Sequence, residues 1–256
     1  MKNIQRILII AKTLVRDRFR YPEAYVGGLF YYSIVLFVAY LYSHLGGGFL
    51  GSKVIPYYLA GLFMISLVAH ETPTYKRFSI WREEILSKPI SPDIFLLGFF
   101  VGDLVAFSLP AIVVLSLLLL PFLYHFGIYS EIFLAVSLIS ALLASVSVAY
   151  FFASLGLRFR YDPNIETATN LFIAFFAGIF LPVQSLPEKV HLVSYAIPYT
   201  WVIDIFRYSL LGTPTILSVK TELECLIASI VLTYTLGYLY LRHTIASIKR
   251  KKVIIR

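Results

Sequence analysis

The sequence predicts an all-α polytopic membrane protein, and three observations carry that prediction. Of its 256 residues, 59% are hydrophobic and only 14% are charged, against about 25% charged in a typical soluble domain. Mean hydropathy is +0.81. Mostly apolar runs long enough to cross a bilayer core follow one another. They are continuous, whereas a transmembrane barrel needs alternating segments of about ten residues. The whole chain, 1–256, reads as a single transmembrane domain.

The elements follow in order. Residues 4–19 place Ile4, Ile7, Leu8, Ala11, Leu14 and Val15 on one helical face, with Arg6, Lys12 and Arg16 off it. This is the pattern of an amphipathic helix lying in the membrane interface, closed by Pro22, so that 1–22 forms an interfacial arm; an ordinary surface helix is the alternative. Lys12, Arg16, Asp17 and Arg18 interrupt any apolar region of a cleavable signal. Six spans are predicted: 24–45, 55–73, 94–124, 132–156, 166–182 and 221–242. The third is long, and Pro110 and Pro121 are positioned to kink it, since each removes a backbone donor.

Between the fifth and sixth spans, residues 183–212 are too apolar for a free loop. Pro182, Pro187 and Pro198 break the stretch, and Glu188, Lys189, Asp204 and Arg207 punctuate it. It reads as re-entrant outer helices, with Tyr195, Tyr199 and Trp201 as headgroup-level anchors. The fourth span carries Ser137, Ala141, Ser145, Ala149 and Ala153 at every fourth position, a seam that lets another helix approach closely. Gly98 and Gly102 repeat that logic over a shorter stretch.

Charge fixes the expected orientation. Basic residues number six in the N-terminal arm, four in 75–92, two at Arg158 and Arg160, and six in the C-terminal tail, against four on the other side. By the positive-inside rule both termini and the 75–92 segment are cytoplasmic in a cell (plasma or inner) membrane. The net charge of +8 is therefore a topology signal and an attraction to anionic lipid, and no nucleic-acid partner is implied. The lone cysteine, Cys225, excludes an intramolecular disulfide and a cysteine-based metal cluster.

"GGGFLGSK", 46–53, falls short of a phosphate-binding loop because Ser52 precedes Lys53 and no buried strand leads into it. No hydrolase or metal signature occurs, so no catalytic, cofactor or metal residues are assigned. Four charges lie at or near membrane depth: His70, Glu71, Asp103 and Glu166. Such charges are costly there and are functional or packing residues. For Asp103, a substrate path and a packed interface both stand open.

The joint order of several short motifs resembles the membrane subunits of type-2 ABC exporters. Gly178 and Pro182 end the fifth span; Leu186 and Pro187, Pro198 to Thr200, Asp204 and Arg207 follow as in that family, with Ile197 where an Asn is usual. Between spans two and three, "EEILSKPIS" (Glu83 to Ser91) matches the family's Glu-x-Leu-Leu-x-x-Pro-Leu-Ser, preceded here by Ile80 and Trp81.

The resemblance implies that 75–92 is a coupling segment seated in a groove of a separate ATP-binding subunit. Its contact residues are then Ile80, Arg82, Glu83, Glu84, Ile85, Leu86, Lys88 and Pro89, with Ile80, Ile85 and Leu86 as the apolar stripe. Gly178, Pro182, Pro187, Pro198, Asp204 and Arg207 are implied to form an outer gate, with Asp204 and Arg207 paired at i,i+3. It further implies two permease subunits, two ATPase subunits binding ATP and Mg, and export of hydrophobic or amphipathic cargo such as a drug, a lipid or a lipid-linked glycan. An ion-coupled secondary transporter, needing midplane charge pairs, and an intramembrane enzyme are the rival readings.

Overall fold

The computed structural model describes residues 2–20, 53–68, 71–88, 90–126, 128–179 and 182–254, with isolated helical positions between 33 and 41. The expected span 24–45, the turn at 46–52, and Pro22, His70 and Pro89 lie outside the described residues. Every described element is a helix, and four are long and apolar enough to cross a membrane: Val54–Ile80, Pro92–Phe122, Glu131–Arg158 and Val219–Arg250.

Helix α1, Lys2–Arg20, is amphipathic as its spacing predicts. It does not lie free. Ala11 and Leu14 are buried against α5, Pro92–Asp103, where the two small residues of the Gly98–Gly102 pair leave room for them. A Cβ at Gly98 would stand 2.8 Å from the Ile10 side chain, and one at Gly102 3.1 Å from that of Leu14. Of the rest of the apolar stripe, Ile4 and Leu8 stay exposed and Ile7 and Val15 are half-buried.

Helix α2, Val54–Val68, leads into α3, Glu71–Ile80. The short α4, Arg82–Ser87, precedes α5. The expected third span is one continuous rod from Pro92 to Phe126, α5 passing through a π-turn at Leu104–Ser108 into α6, Leu109–Phe126. Pro110 accounts for the π-turn. It has no N–H to give, and its ring crowds the carbonyl one turn back. The chain relieves this by widening, so that the Leu109 N–H bonds the Leu104 carbonyl five residues earlier.

Helix α7, Glu131–Arg158, is the hub. Ser137, Ala141, Ser145, Ala149 and Ala153 are all fully buried, so the small-residue seam is spent on packing within this chain. Ser145 Oγ donates to the Val68 carbonyl of α2 at 2.8 Å. A Cβ at Gly156 would meet the Tyr75 carbonyl of α3 at 2.5 Å. Helix α11, Val219–Ile254, approaches α7 at Gly237, where a Cβ would stand 2.9 Å from the Phe151 nitrogen. The pair is tied again by the buried Ser154–Thr244 hydroxyl contact, 2.8 Å. At 36 residues, α11 is about 54 Å long and outruns the expected 221–242 at its C-terminal end.

The expected span 166–182 is shorter than predicted. Helix α8, Pro163–Phe176, has 14 residues and a length of about 21 Å, less than the ~30 Å hydrocarbon core. Gly178 stops it. Its φ of 82° turns the chain so that the Ile179 N–H returns to the Ala174 carbonyl, 3.2 Å, the hydrogen bond of a Schellman stop.

Two short helices follow, α9, Glu188–Ala196, and α10, Pro198–Leu211. The interfacial anchors expected there are not all interfacial. Tyr199 and Trp201 are buried in the main core with α2, α7 and α8. Helix α10 runs antiparallel to α2: Tyr199 Oη reaches the Val68 carbonyl at the far end of α2, while Arg207 reaches Tyr57 near its start. The apolar composition of α10 serves this burial, with Tyr195 and Trp201 stacked at 5.2 Å between centroids.

Candidate functional site

Two constellations of charge sit at opposite ends of the bundle. The first is built where α3, α4 and α5 meet. The α3 helix bends at Trp81, whose backbone leaves helical geometry, although the Ile85 N–H still bonds the Trp81 carbonyl at 2.9 Å. Lys88 is extended, as expected of a residue preceding proline. Pro92 then opens α5 at a position that needs no N–H. The result is a six-residue helix held across the mouth of a helical hairpin.

The side chains of α4 divide sharply. Ile85 is 2% exposed and packs inward with Phe78, Phe95, Leu96, Phe99 and Leu157. Ile80 is 58% and Trp81 44% exposed. Glu83, Glu84 and Lys88 are exposed, and Arg82 and Leu86 half-buried. The expected stripe of Ile80, Ile85 and Leu86 is therefore not one surface. Ile85 lies on the face turned to the bundle, where it anchors α4, and the outward apolar contacts are Ile80 and Trp81.

Directly behind α4, Arg77 of α3 makes a two-pronged ion pair with Asp103 of α5. Arg77 Nη1 meets Asp103 Oδ2, and Nη2 meets Oδ1 at 2.6 Å. Asp103 is buried and Arg77 largely so. The guanidinium also lies 5.4 Å from the centroid of the Phe99 ring, and Phe99 receives the edges of Phe78 and Trp81. Asp103 thus sits in a packed interface, immediately before the π-turn. Two further ties brace the joint. Asp93 accepts from Arg242 of α11 at 3.1 Å, and Tyr75 Oη donates to the Arg160 carbonyl at 2.8 Å. The side chains of Glu71 and Glu166, like His70, lie outside the described residues.

The second constellation surrounds Arg207. It is 2% exposed, and its pairing with Asp204 is not what the structure contains. Among the described residues its partners are carbonyl oxygens: Tyr57 (Nε, 3.1 Å), Gly178 (Nη1, 2.7 Å) and Ile179 (Nη2, 3.5 Å). The guanidinium also lies 3.6 Å from the Tyr57 ring centroid, a cation–π contact. Gly178 and Ile179 lie in the turn just past the C-terminal end of α8, beside the negative end of the helix dipole, so a buried cation is favoured there. Gly61 completes the socket, since a Cβ there would collide with Arg207 Nη2.

Asp204 turns away from this socket, its Oδ2 accepting the Ile216 N–H at 2.9 Å. Burial raises its carboxyl above the ordinary carboxylate range, opposed by the Ile216 amide, by Glu222 and by Arg207. Nearby, Lys53 Nζ donates to the Leu211 carbonyl at 2.6 Å, capping α10, which Gly212 ends at φ 60°. Pro182 and Pro198 are buried and Pro187 exposed. Pro198 opens α10, while Pro182 and Pro187 flank the turn at Val183–Ser185.

Reading along the chain misses Arg77, Trp81, Gly61 and Glu222 as site residues. Arg77 and Asp103 are 26 positions apart and Arg207 and Tyr57 are 150 apart, so no local spacing announces either contact. The model of the ABC-2 type transporter membrane family matches residues 5–211, which takes in α4, Asp103 and the Arg207 socket. A comparison with curated proteins gives no match. The chain belongs to the ABC-2 type transporter family of membrane transport subunits.

Proposed function

We propose that this chain is the permease subunit of an ATP-driven exporter, one transmembrane domain that moves a hydrophobic or amphipathic substrate such as a drug, a lipid or a lipid-linked glycan. Permeases of this family generally work with an ABC ATP-binding subunit. Two copies of this chain pair in the cell membrane over two such subunits, which bind the ATP and Mg. Both termini and α4 face the cytoplasm; α9 and α10 re-enter from the outer side, and a first span over 24–45 and the short α8 join the four long helices to make six crossings.

One observation carries this reading. The end of α3, the bend and α4 together offer Ile80, Trp81, Glu83 and Glu84 to a partner, while Ile85 and the Arg77–Asp103 pair key α4 to α3 and α5. A push on α4 is therefore delivered to two spans as one body. The packing of α1 on α5 through Gly98 and Gly102 adds the interfacial helix to that body.

A secondary transporter would use Asp103 as a midplane charge in its path. Here Asp103 is committed to Arg77, which removes the residue that most favoured that reading.

The test is substrate-stimulated ATP hydrolysis by the reconstituted permease–ATPase complex. Reversing both charges with Glu83→Lys and Glu84→Lys should leave basal hydrolysis but abolish its stimulation. Unaltered stimulation would remove α4 from the coupling path.

A further inference from the structure

At the end of the bundle opposite α4, two carboxyls meet in a site with too few donors. Asp204 lies in α10 and Glu222 in the first turn of α11. Glu222 is fully buried and Asp204 nearly so. Consecutive amides of the loop between the helices reach them: Ile216 N–H donates to Asp204 Oδ2, and Leu217 N–H donates to Glu222 Oε1, both at 2.9 Å. Two successive peptide N–H groups therefore bridge the two carboxyls and bring them side by side, within hydrogen-bonding reach of one another.

The other charged or titratable groups facing the pair are Arg207 from α10 and Tyr57 from α2. Arg207 directs three of its five N–H groups to carbonyls, and none of these three reaches either carboxyl. Among the described residues no N–H or O–H donates to Glu222 Oε2. Ionised carboxylates offer only acceptors, and two that touch in a dry site cannot both ionise without strong repulsion. A single proton supplies the missing donor and removes the repulsion at once.

We propose that Asp204 and Glu222 form a proton-binding site, in which one proton on Glu222 is donated to Asp204 and latches the start of α11 to α10. Losing that proton to bulk solvent leaves two adjacent negative charges and frees the loop of Ile216 and Leu217. The latch is present while the pair holds its proton and is lost as pH rises through its titration. Above that point, one-proton linkage makes loop opening about tenfold more frequent per pH unit. The site stands on the geometry of the pair, whatever the transported substrate.

Two measurements on the full chain in lipid nanodiscs test the proposal. At pH 7 the infrared spectrum should contain a protonated-carboxyl band, absent from Glu222→Gln and from Asp204→Asn. No such band in the wild type, or one that survives in either variant, overturns the proposal. Amide hydrogen exchange at Ile216 and Leu217 should steepen with pH by the extra tenfold per unit beyond intrinsic base catalysis. In Glu222→Gln the amide donor is permanent, and the extra steepening should vanish. Identical slopes in wild type and variant would also overturn it.

Discussion

Arg207 donates its shortest hydrogen bond, 2.7 Å, to the carbonyl of Gly178, 29 residues earlier in the chain. An arginine buried in an apolar bundle with no carboxylate on its fork needs another source of negative potential. The turn that closes α8 supplies it: Gly178 halts the helix, and the carbonyls of Gly178 and Ile179, just past its end, accept from the guanidinium. Arg207 therefore acts as a clasp joining α8, α10 and α2.

The clasp makes a stability prediction. Arg207→Ala strands three carbonyls and should lower stability by about 3 kcal/mol or more, at ~1–3 kcal/mol for each unsatisfied group. Gly61→Ala should destabilise in the same direction by pushing the guanidinium out of its socket. Because both act on one contact, the double variant should fall well short of the sum. Thermal unfolding of the four proteins in detergent measures this, and strict additivity would separate Gly61 from Arg207.

The Arg77–Asp103 pair should behave as a buried, hydrogen-bonded unit. Removing either partner leaves an uncompensated charge and should cost about 3–5 kcal/mol. The exchange Arg77→Asp with Asp103→Arg should recover more stability and more transport than either single substitution retains. A double variant no better than the singles would mean that shape, not charge, holds α3 to α5.

Much of the architecture was legible along the chain, and where it was not the reason is physical. Apolar length gave the helices that reappear as Val54–Ile80, Glu131–Arg158 and the start of α11. The every-fourth small residues of α7 gave its packing seam, and Pro110 marked the disturbance that became a π-turn. Two things were hidden. The direction in which Ile85 points depends on how the turn at Trp81 sets α4 against the bundle, which its own spacing does not encode. The partner of Arg207 is a set of backbone carbonyls, and no residue type announces a free carbonyl.

The division of α4 separates anchoring from docking. Ile85→Ala should open a cavity beneath α4 and cost about 2–5 kcal/mol. Ile80→Ala with Trp81→Ala removes exposed side chains and should shift the melting temperature little while weakening binding of the ATPase subunit. Equal stability losses from the two substitutions would contradict the inward and outward assignments.

Orientation is checked by labelling. In a Cys225→Ser background, a cysteine replacing the exposed Glu188 should react with an impermeant thiol reagent in intact cells. Cysteines replacing Glu83 or Lys249 should react only after the membrane is opened. Labelling of the Glu83 position from outside would invert the proposed topology.

Whether α4 docks an ATP-hydrolysing partner is decided by affinity purification of the tagged chain from its own cells. The wild type should bring down a stoichiometric subunit with ATPase activity. The variant combining Ile80→Ala, Trp81→Ala, Glu83→Lys and Glu84→Lys should lose that subunit while keeping the wild-type melting temperature. Equal recovery of the ATPase by both proteins would contradict the claim.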